Sequence, residues 1–278
     1  MSPTSEASPT VTEIVRVAEQ LWPVSGAETW DAIGLLAGDP LAAVSHVHLC
    51  VDAVPDTADE ALSLGSSVLL VHHPLLLRGV TSVSEDHFKG AVISRLIRGG
   101  CALFAAHTNA DVVATGTSAV MARLLGLTGA VPIRSTQPDS EGIGRVGTLT
   151  EPTTLGRLAR KLAGLLPATA SGVRVSGEYD APIATVAVCA GAGDSYLDEP
   201  AVRAADVYIT SDLRHHPASA FRETAKLSGG PALIDVSHWA SEWLWLDTAA
   251  TELRAALPGV TVTVSELRTD PWDFTIVQ

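Results

Sequence analysis

The stretch Val68-Leu69-Leu70-Val71-His72-His73-Pro74 constrains this chain more than any other. Four consecutive apolar residues bounded by Ser67 and Pro74 predict a short, fully buried strand, which Pro74 stops while holding His73 away from helical angles. Two imidazoles therefore stand at a strand's carboxyl end, the edge at which open α/β sheets bind ligands.

Alone, a His-His pair there is more often an ordinary strand end than a metal site. Two further stretches repeat the pattern. Ala102–Ala106 is an apolar strand that runs out into His107-Thr108-Asn109-Ala110-Asp111, and Pro231–Val236 runs out into Ser237-His238-Trp239-Ala240-Ser241-Glu242. A carboxylate follows the histidine by four residues in both, so each pair shares one face wherever a helical turn forms. Imidazole nitrogens and carboxylate oxygens suit zinc, manganese, iron or nickel. His72, His73, Asp111, His238 and Glu242 together exceed what one tetrahedral ion needs. Two ions bridged by a carboxylate, about 3.5–4 Å apart, is the economical expectation.

A chain of 278 residues with 46% hydrophobic content can bury a large core, as one large or two medium α/β units. The net charge of −13 repels phosphate backbones and argues against non-specific nucleic-acid binding. No apolar run approaches the roughly 20 residues that cross a bilayer, so no membrane partner is expected. Met1–Pro9 has neither the basic nor the apolar region of a signal peptide. Cys50, Cys101 and Cys189, odd in number and set in apolar stretches, read as buried free thiols of a reducing cytoplasm.

Along the chain, residues 1–9 are Ser/Thr/Pro-rich and expected to be disordered, and a helix over 10–21 is capped by Thr10 or Thr12. Trp30 reads as core packing, whereas Asp31 in an apolar setting needs a partner. The strand His46–Ala53 carries Asp52 near its end, which either orients a ligating imidazole or caps the next helix. Helices are expected over 88–98 and 112–125, the latter ended by Gly126. Residues 128–145, rich in Pro, Gly, Ser and Thr, are the expected boundary between a first lobe, 10–135, and a second, 136–278.

In the second lobe a helix spans 153–165, with strands near 174–175 and 186–189. The small-residue turn Ala190–Ser195 could present N–H groups to a phosphate. A strand ending in Asp212 precedes a second His-His-Pro, whose His215 and His216 lie in a polar turn and are assigned to substrate or structure before metal. Its recurrence hints at a duplication. Helices over 218–227 and 241–256 and a strand over 260–264 follow, with Trp239 and Trp245 expected to roof the site or an interface.

The segments Trp30-Asp31-Ala32-Ile33-Gly34-Leu35, Val71-His72-His73-Pro74, His107-Thr108-Asn109-Ala110-Asp111, Gly142–Gly147, Asp206–Asp212 with His216, and His238–Glu242 occur in that order. Together they resemble the NIF-three-like family, whose bacterial members are often labelled GTP cyclohydrolase I type 2 homologues. The resemblance implies two interlinked α/β lobes with mixed sheets flanked by helices, a dinuclear metal site between the lobes, and a ring-shaped homohexamer. Carried over by position, the family's ligands fall on His72, His73, Asp111, His238 and Glu242, with His107 a sixth or outer contact. The chain departs from the family's pattern at Ala32 and Ser211, outside that set, and lacks the long central insertion of larger members.

The expected function is metal-dependent hydrolysis of a nucleotide or related small phosphorylated or cyclic-amide substrate, opening of the GTP imidazole ring being one option. Two divalent ions serve it, zinc foremost, with His107 or His216 as proton shuttle. The alternative is a metal-binding ring, without turnover, that handles metals or partners.

Overall fold

The computed structural model describes residues 8–137 and 141–277. Of the stretch expected to be disordered, residues 1–7 lie outside the described residues, while Pro9 O accepts from Val44 N at 2.7 Å. Helix α1 (Val11–Leu21) begins where Thr10 and Glu13 form a reciprocal cap: Glu13 N donates to Thr10 Oγ1 and Thr10 N to Glu13 Oε2. The chain continues through β1 (Gly34–Ala37), β2 (His46–Asp52), α2 (Pro55–Ser63), β3 (Val68–His73), α3 (Phe88–Arg98) and β4 (Ala102–Ala105). Next come α4 (Thr108–Val112), α5 (Thr117–Leu125), β5 (Leu127–Val131), β6 (Arg134–Gln137), β7 (Glu141–Ile143), β8 (Arg145–Thr154) and α6 (Leu155–Leu165). The last elements are β9 (Arg174–Ser176), β10 (Pro182–Ala192), α7 (Pro200–Arg203), β11 (Val207–Ser211), α8 (His215–Ser228), β12 (Ala232–Val236), α9 (His238–Ala256) and β13 (Thr261–Val264).

The chain divides into two compact units, Met1–Ala110 with Leu246–Thr269, and Asp111–Trp245 with Asp270–Gln278. The first holds a five-stranded mixed sheet in the order β1-β4-β3-β2-β13, parallel except for β1. Leu69, Val71, Leu103 and Ala105 pack with Ala58 and Ala61 of α2 and Val92 and Leu96 of α3, which is why β3 and β4 read as unbroken apolar runs.

The second unit holds a six-stranded mixed sheet, β5-β8-β10-β11-β12-β9, with β10, β11 and β12 parallel. Val186 and Val188 of β10, Val207 and Ile209 of β11, and Ile234 and Val236 of β12 form one core with Met121 and Leu125 of α5 and Leu155, Leu158 and Leu162 of α6. Alternation along each strand sends these residues to one face. A two-stranded sheet, β6-β7, completes the unit.

The observed division differs from the boundary expected at 135/136. The Gly/Pro/Ser/Thr-rich stretch 128–145 supplies β5, β6 and β7, and turn residues look alike in hairpins and linkers. The chain instead leaves the first unit after Ala110, and Leu246–Thr269 returns to it because β13 pairs in parallel with β2, Val262 opposite Val47. The helix expected over 112–125 is interrupted as well. Arg145 takes the carbonyls of Val112 and Val113, and α5 starts afresh at Thr117 after Gly116. Gly126, at φ 79°, caps it as expected.

Trp30 is not core: it is 58% exposed, while Trp245 is fully buried and Trp239 nearly so. No helix among the described residues is long and apolar enough to cross a membrane.

Cys50, Cys101 and Cys189 are buried free thiols, and burial pushes Cys101 up to about 11 and Cys189 up to about 12. An aromatic disulfide reagent at pH 8 should therefore label none of the three in the folded protein and all three in guanidinium. Rapid labelling of one under native conditions would contradict this burial.

Candidate metal centre

In the first unit, the parallel pairing of β3 with β4 puts the carboxyl ends of both strands on one sheet edge, so their terminal histidines meet. His72, His73 and His107 each offer a ring nitrogen, and these atoms lie within 4.8 Å of one another. Ring centroids stand 5.1 to 5.6 Å apart. Every ring has its Nδ1 tied to an oxygen: His72 to Ala106 O at 2.9 Å, His73 to Asp52 Oδ1 at 2.7 Å, His107 to Asp31 Oδ1 at 2.9 Å. An imidazole donating from Nδ1 keeps the Nε2 lone pair for a cation, the arrangement that metal-binding histidines use.

Asp52 thus orients an imidazole and caps nothing. Thr57 Oγ1 serves the amino end of α2 instead, and the second Asp52 oxygen accepts from Thr269. Asp31 has the partners its setting demanded. Burial pushes its carboxyl up, but hydrogen bonds from His107 and Thr108 outweigh that and hold it well below the usual carboxylate range. It accepts from His107 Nδ1, Thr108 N, Thr108 Oγ1 and Ala32 N, which fixes the loop 28–32 to the start of α4.

In the second unit, His238 opens α9 directly after β12, and Glu242 follows one turn later. His238 Nε2 lies 3.0 Å from Glu242 Oε1 and its Nδ1 lies 2.7 Å from Asp212 Oδ2. Burial disfavours the imidazolium, but Glu242 and Asp212 outweigh it and push His238 up to about 11. An imidazole between two carboxylates calls for positive charge, which a proton or a cation can supply.

Asp111 lies on α4, four residues after His107, and its Oδ1 accepts from Thr117 Oγ1 at 2.5 Å. Burial is the main cause of the raised Cys189 thiol, with the charges of Asp111 and Glu242 both adding to it.

The donors in both units are imidazole and carboxylate with their outer atoms already fixed, a set that fits zinc or a similar divalent ion. His216 lies at a helix start. With His215 it opens α8, exposed, rather than occupying a polar turn, and their rings lie 5.2 Å apart. The two His-His-Pro sequences therefore sit in different local structures, one ending a strand and one beginning a helix.

In the small-residue stretch Ala190–Ser195, whose first three residues end β10, three amides are already taken by protein acceptors. Ala190 N donates to Ser118 Oγ, Gly191 N to Ser241 Oγ, and Gly193 N to Ser211 O. Gly191 is needed for another reason. At φ +73°, a Cβ there would come within 2.3 Å of Glu242 Oε1 and 3.3 Å of His238 Nε2. Gly191→Ala should therefore push Glu242 aside, weaken metal binding roughly 10–100-fold as for a displaced orienting contact, and cost about 1–3 kcal/mol of backbone strain. Chelator competition and a thermal melt measure the two effects, and wild-type metal affinity would sink the assignment of Glu242.

Asp212 was missed as a functional candidate. It is the one described non-glycine residue at positive φ, 57°, directly after β11, and residues held there cluster at functional sites. Its position at the end of an apolar strand was the available signal.

The profile of the Duf34/NIF3 (NGG1p interacting factor 3) family matches residues 9–271. A Streptomyces coelicolor protein named GTP cyclohydrolase 1 type 2 homolog is 43% identical, covering 95% of this chain and 94% of its own length. A Mycobacterium leprae protein of the same name is 31% identical over 370 aligned positions, covering 94% of each chain, so it carries segments that this chain lacks. Among solved structures, a Bacillus cereus protein related to NIF3 superposes with a TM-score of 0.86 at 23% identity, covering 97% of this chain and 100% of its own.

Proposed function

This chain belongs to the Duf34/NIF3 family, and on that premise we propose that it is a dinuclear metal-dependent hydrolase acting on a nucleotide or related small substrate. The proposed ligands are His72, His73, Asp111, His238 and Glu242, with zinc the first choice of metal and iron, manganese or nickel the alternatives. The supporting observation is the shared pinning of four imidazoles, His72, His73, His107 and His238, through Nδ1 to oxygen acceptors. His46 and His48 make the same Nδ1 contact, to Leu64 O and Thr263 Oγ1, so the weight falls on the ring nitrogens of His72, His73 and His107 also converging within 4.8 Å of one another.

Bound divalent ions would supply Lewis-acid polarisation and a water acidified towards neutrality. The chain's own part is positioning and proton handling. His107 is the proposed proton carrier at Nε2, because the Asp31 carboxylate behind its Nδ1 holds the ring in place and leaves Nε2 turned towards the cluster. His216, exposed at the start of α8, is the second proposed carrier. The names of the relatives favour a purine nucleoside triphosphate among candidate substrates. A cytoplasmic homohexamer is the proposed assembly.

The test is turnover of a panel of nucleotides, phosphomonoesters and cyclic amides by metal-loaded protein. Consumption that disappears on chelation and in His73→Ala, at unchanged oligomeric mass, is the expected result. Tight metal binding with no substrate consumed above the chelated background would instead favour the metal-binding ring without turnover.

A further inference from the structure

We propose that Trp30 is a stacking platform for a planar heteroaromatic ring of the substrate, a nucleobase or similar heterocycle, at the rim of the three-imidazole cluster. The inference rests on the reading above, which brings a nucleotide-like substrate to His72, His73 and His107.

Trp30 carries one of the largest apolar side chains, yet 58% of its surface meets solvent. Its exposure does not come from a loose loop. Asp31 N donates to Glu28 O at 3.0 Å, Glu28 N to Thr108 Oγ1 at 3.0 Å, and the Asp31 carboxylate accepts from four donors on His107, Thr108 and Ala32. The backbone on either side of the indole is thus tied to the residues that carry the cluster.

The indole also touches the cluster itself. Its ring lies edge to face with His107, centroids 5.9 Å apart and planes at 75°. One portion of the indole therefore braces a candidate site imidazole while the remainder stays open to water. A rigidly presented, half-open aromatic ring beside polar site groups suits a ligand that is apolar on its faces and polar at its edges. Stacking on such a ring is tolerant of base identity, because every base has a π-face. Specificity for one base would then come from other groups.

The test uses the full chain loaded with zinc and two probes, guanosine monophosphate and ribose 5-phosphate, with affinities measured by calorimetry. Trp30→Ala should weaken guanosine monophosphate roughly 5–150-fold, the range found for losing one base–aromatic stack. Ribose 5-phosphate affinity and zinc content should stay unchanged, and Trp30→Phe should keep most of the nucleotide affinity. Equal nucleotide affinity in wild type and Trp30→Ala overturns the proposal. So does equal loss for both probes, a wild type that binds guanosine monophosphate no more tightly than ribose 5-phosphate, or a change in oligomeric mass on Trp30→Ala, which would make the indole a subunit contact. Base-dependent binding without turnover of any nucleotide would retain Trp30's role and remove the hydrolase reading. Turnover with binding indifferent to Trp30 would do the reverse.

Discussion

His73→Ala should weaken divalent-metal binding by more than the roughly 10–100-fold expected when only an orienting partner is lost. Its ring offers a nitrogen within 4.8 Å of those of His72 and His107, and alanine offers none. Asp52→Asn is the informative companion, because Asn still fills the space beside His73 Nδ1 but no longer presents a carboxylate to it. It should fall within the 10–100-fold range. Chelator competition with elemental analysis gives both numbers, and an unchanged far-ultraviolet spectrum excludes unfolding. A His73→Ala protein that holds metal like wild type would remove this histidine from the ligand set, and Asp52→Asn matching His73→Ala would mean that charge, rather than ligation, controls the site.

Arg145→Met should lower the stability of the second unit by about 3–5 kcal/mol, the cost of breaking a buried charged network from one side. Arg145 is only 4% exposed, and its guanidinium donates to the carbonyls of Gly142 and Gly144 at 2.6 Å, Val113 at 2.7 Å and Val112 at 3.4 Å. Methionine fills much of the volume and satisfies none of these acceptors. Burial lowers the Arg145 pKa and Asp111 opposes that, so the same change also removes a positive charge from near a candidate ligand. The expected result is a lower denaturant midpoint together with looser metal binding. A midpoint shift worth less than about 1 kcal/mol would mean that water reaches those carbonyls after the substitution.

The elements that local patterning controls were legible. The run from Val68 to Pro74 became β3 with both histidines in its last two positions, the helix expected over 88–98 is α3, and Thr10 caps α1. His238 and Glu242 meet across one helical turn, as their spacing required. Pairing by sequence spacing works there because an α-helix converts four residues into one contact.

What spacing cannot convey is which distant segments meet. Asp52 was equally a cap or an orienting group until Thr57 took the cap, and Asp31 had an unsatisfied carboxylate but no named partner until His107 came to it from 76 residues away. Trp30 was expected in the core because size and apolarity favour burial, and its loop is instead tied down by hydrogen bonds that leave the indole outside.

The sequence alone determined that apolar strands end in imidazoles and that carboxylates follow one turn later, because both facts are fixed by residue order and by helix and strand periods. The tertiary structure decided the strand order, the return of Leu246–Thr269 to the first unit through β13 on β2, the break between α4 and α5, and the acceptor behind each imidazole. Those depend on long-range pairing, where burial and hydrogen-bond satisfaction across the whole chain choose among partners that local propensity leaves equivalent.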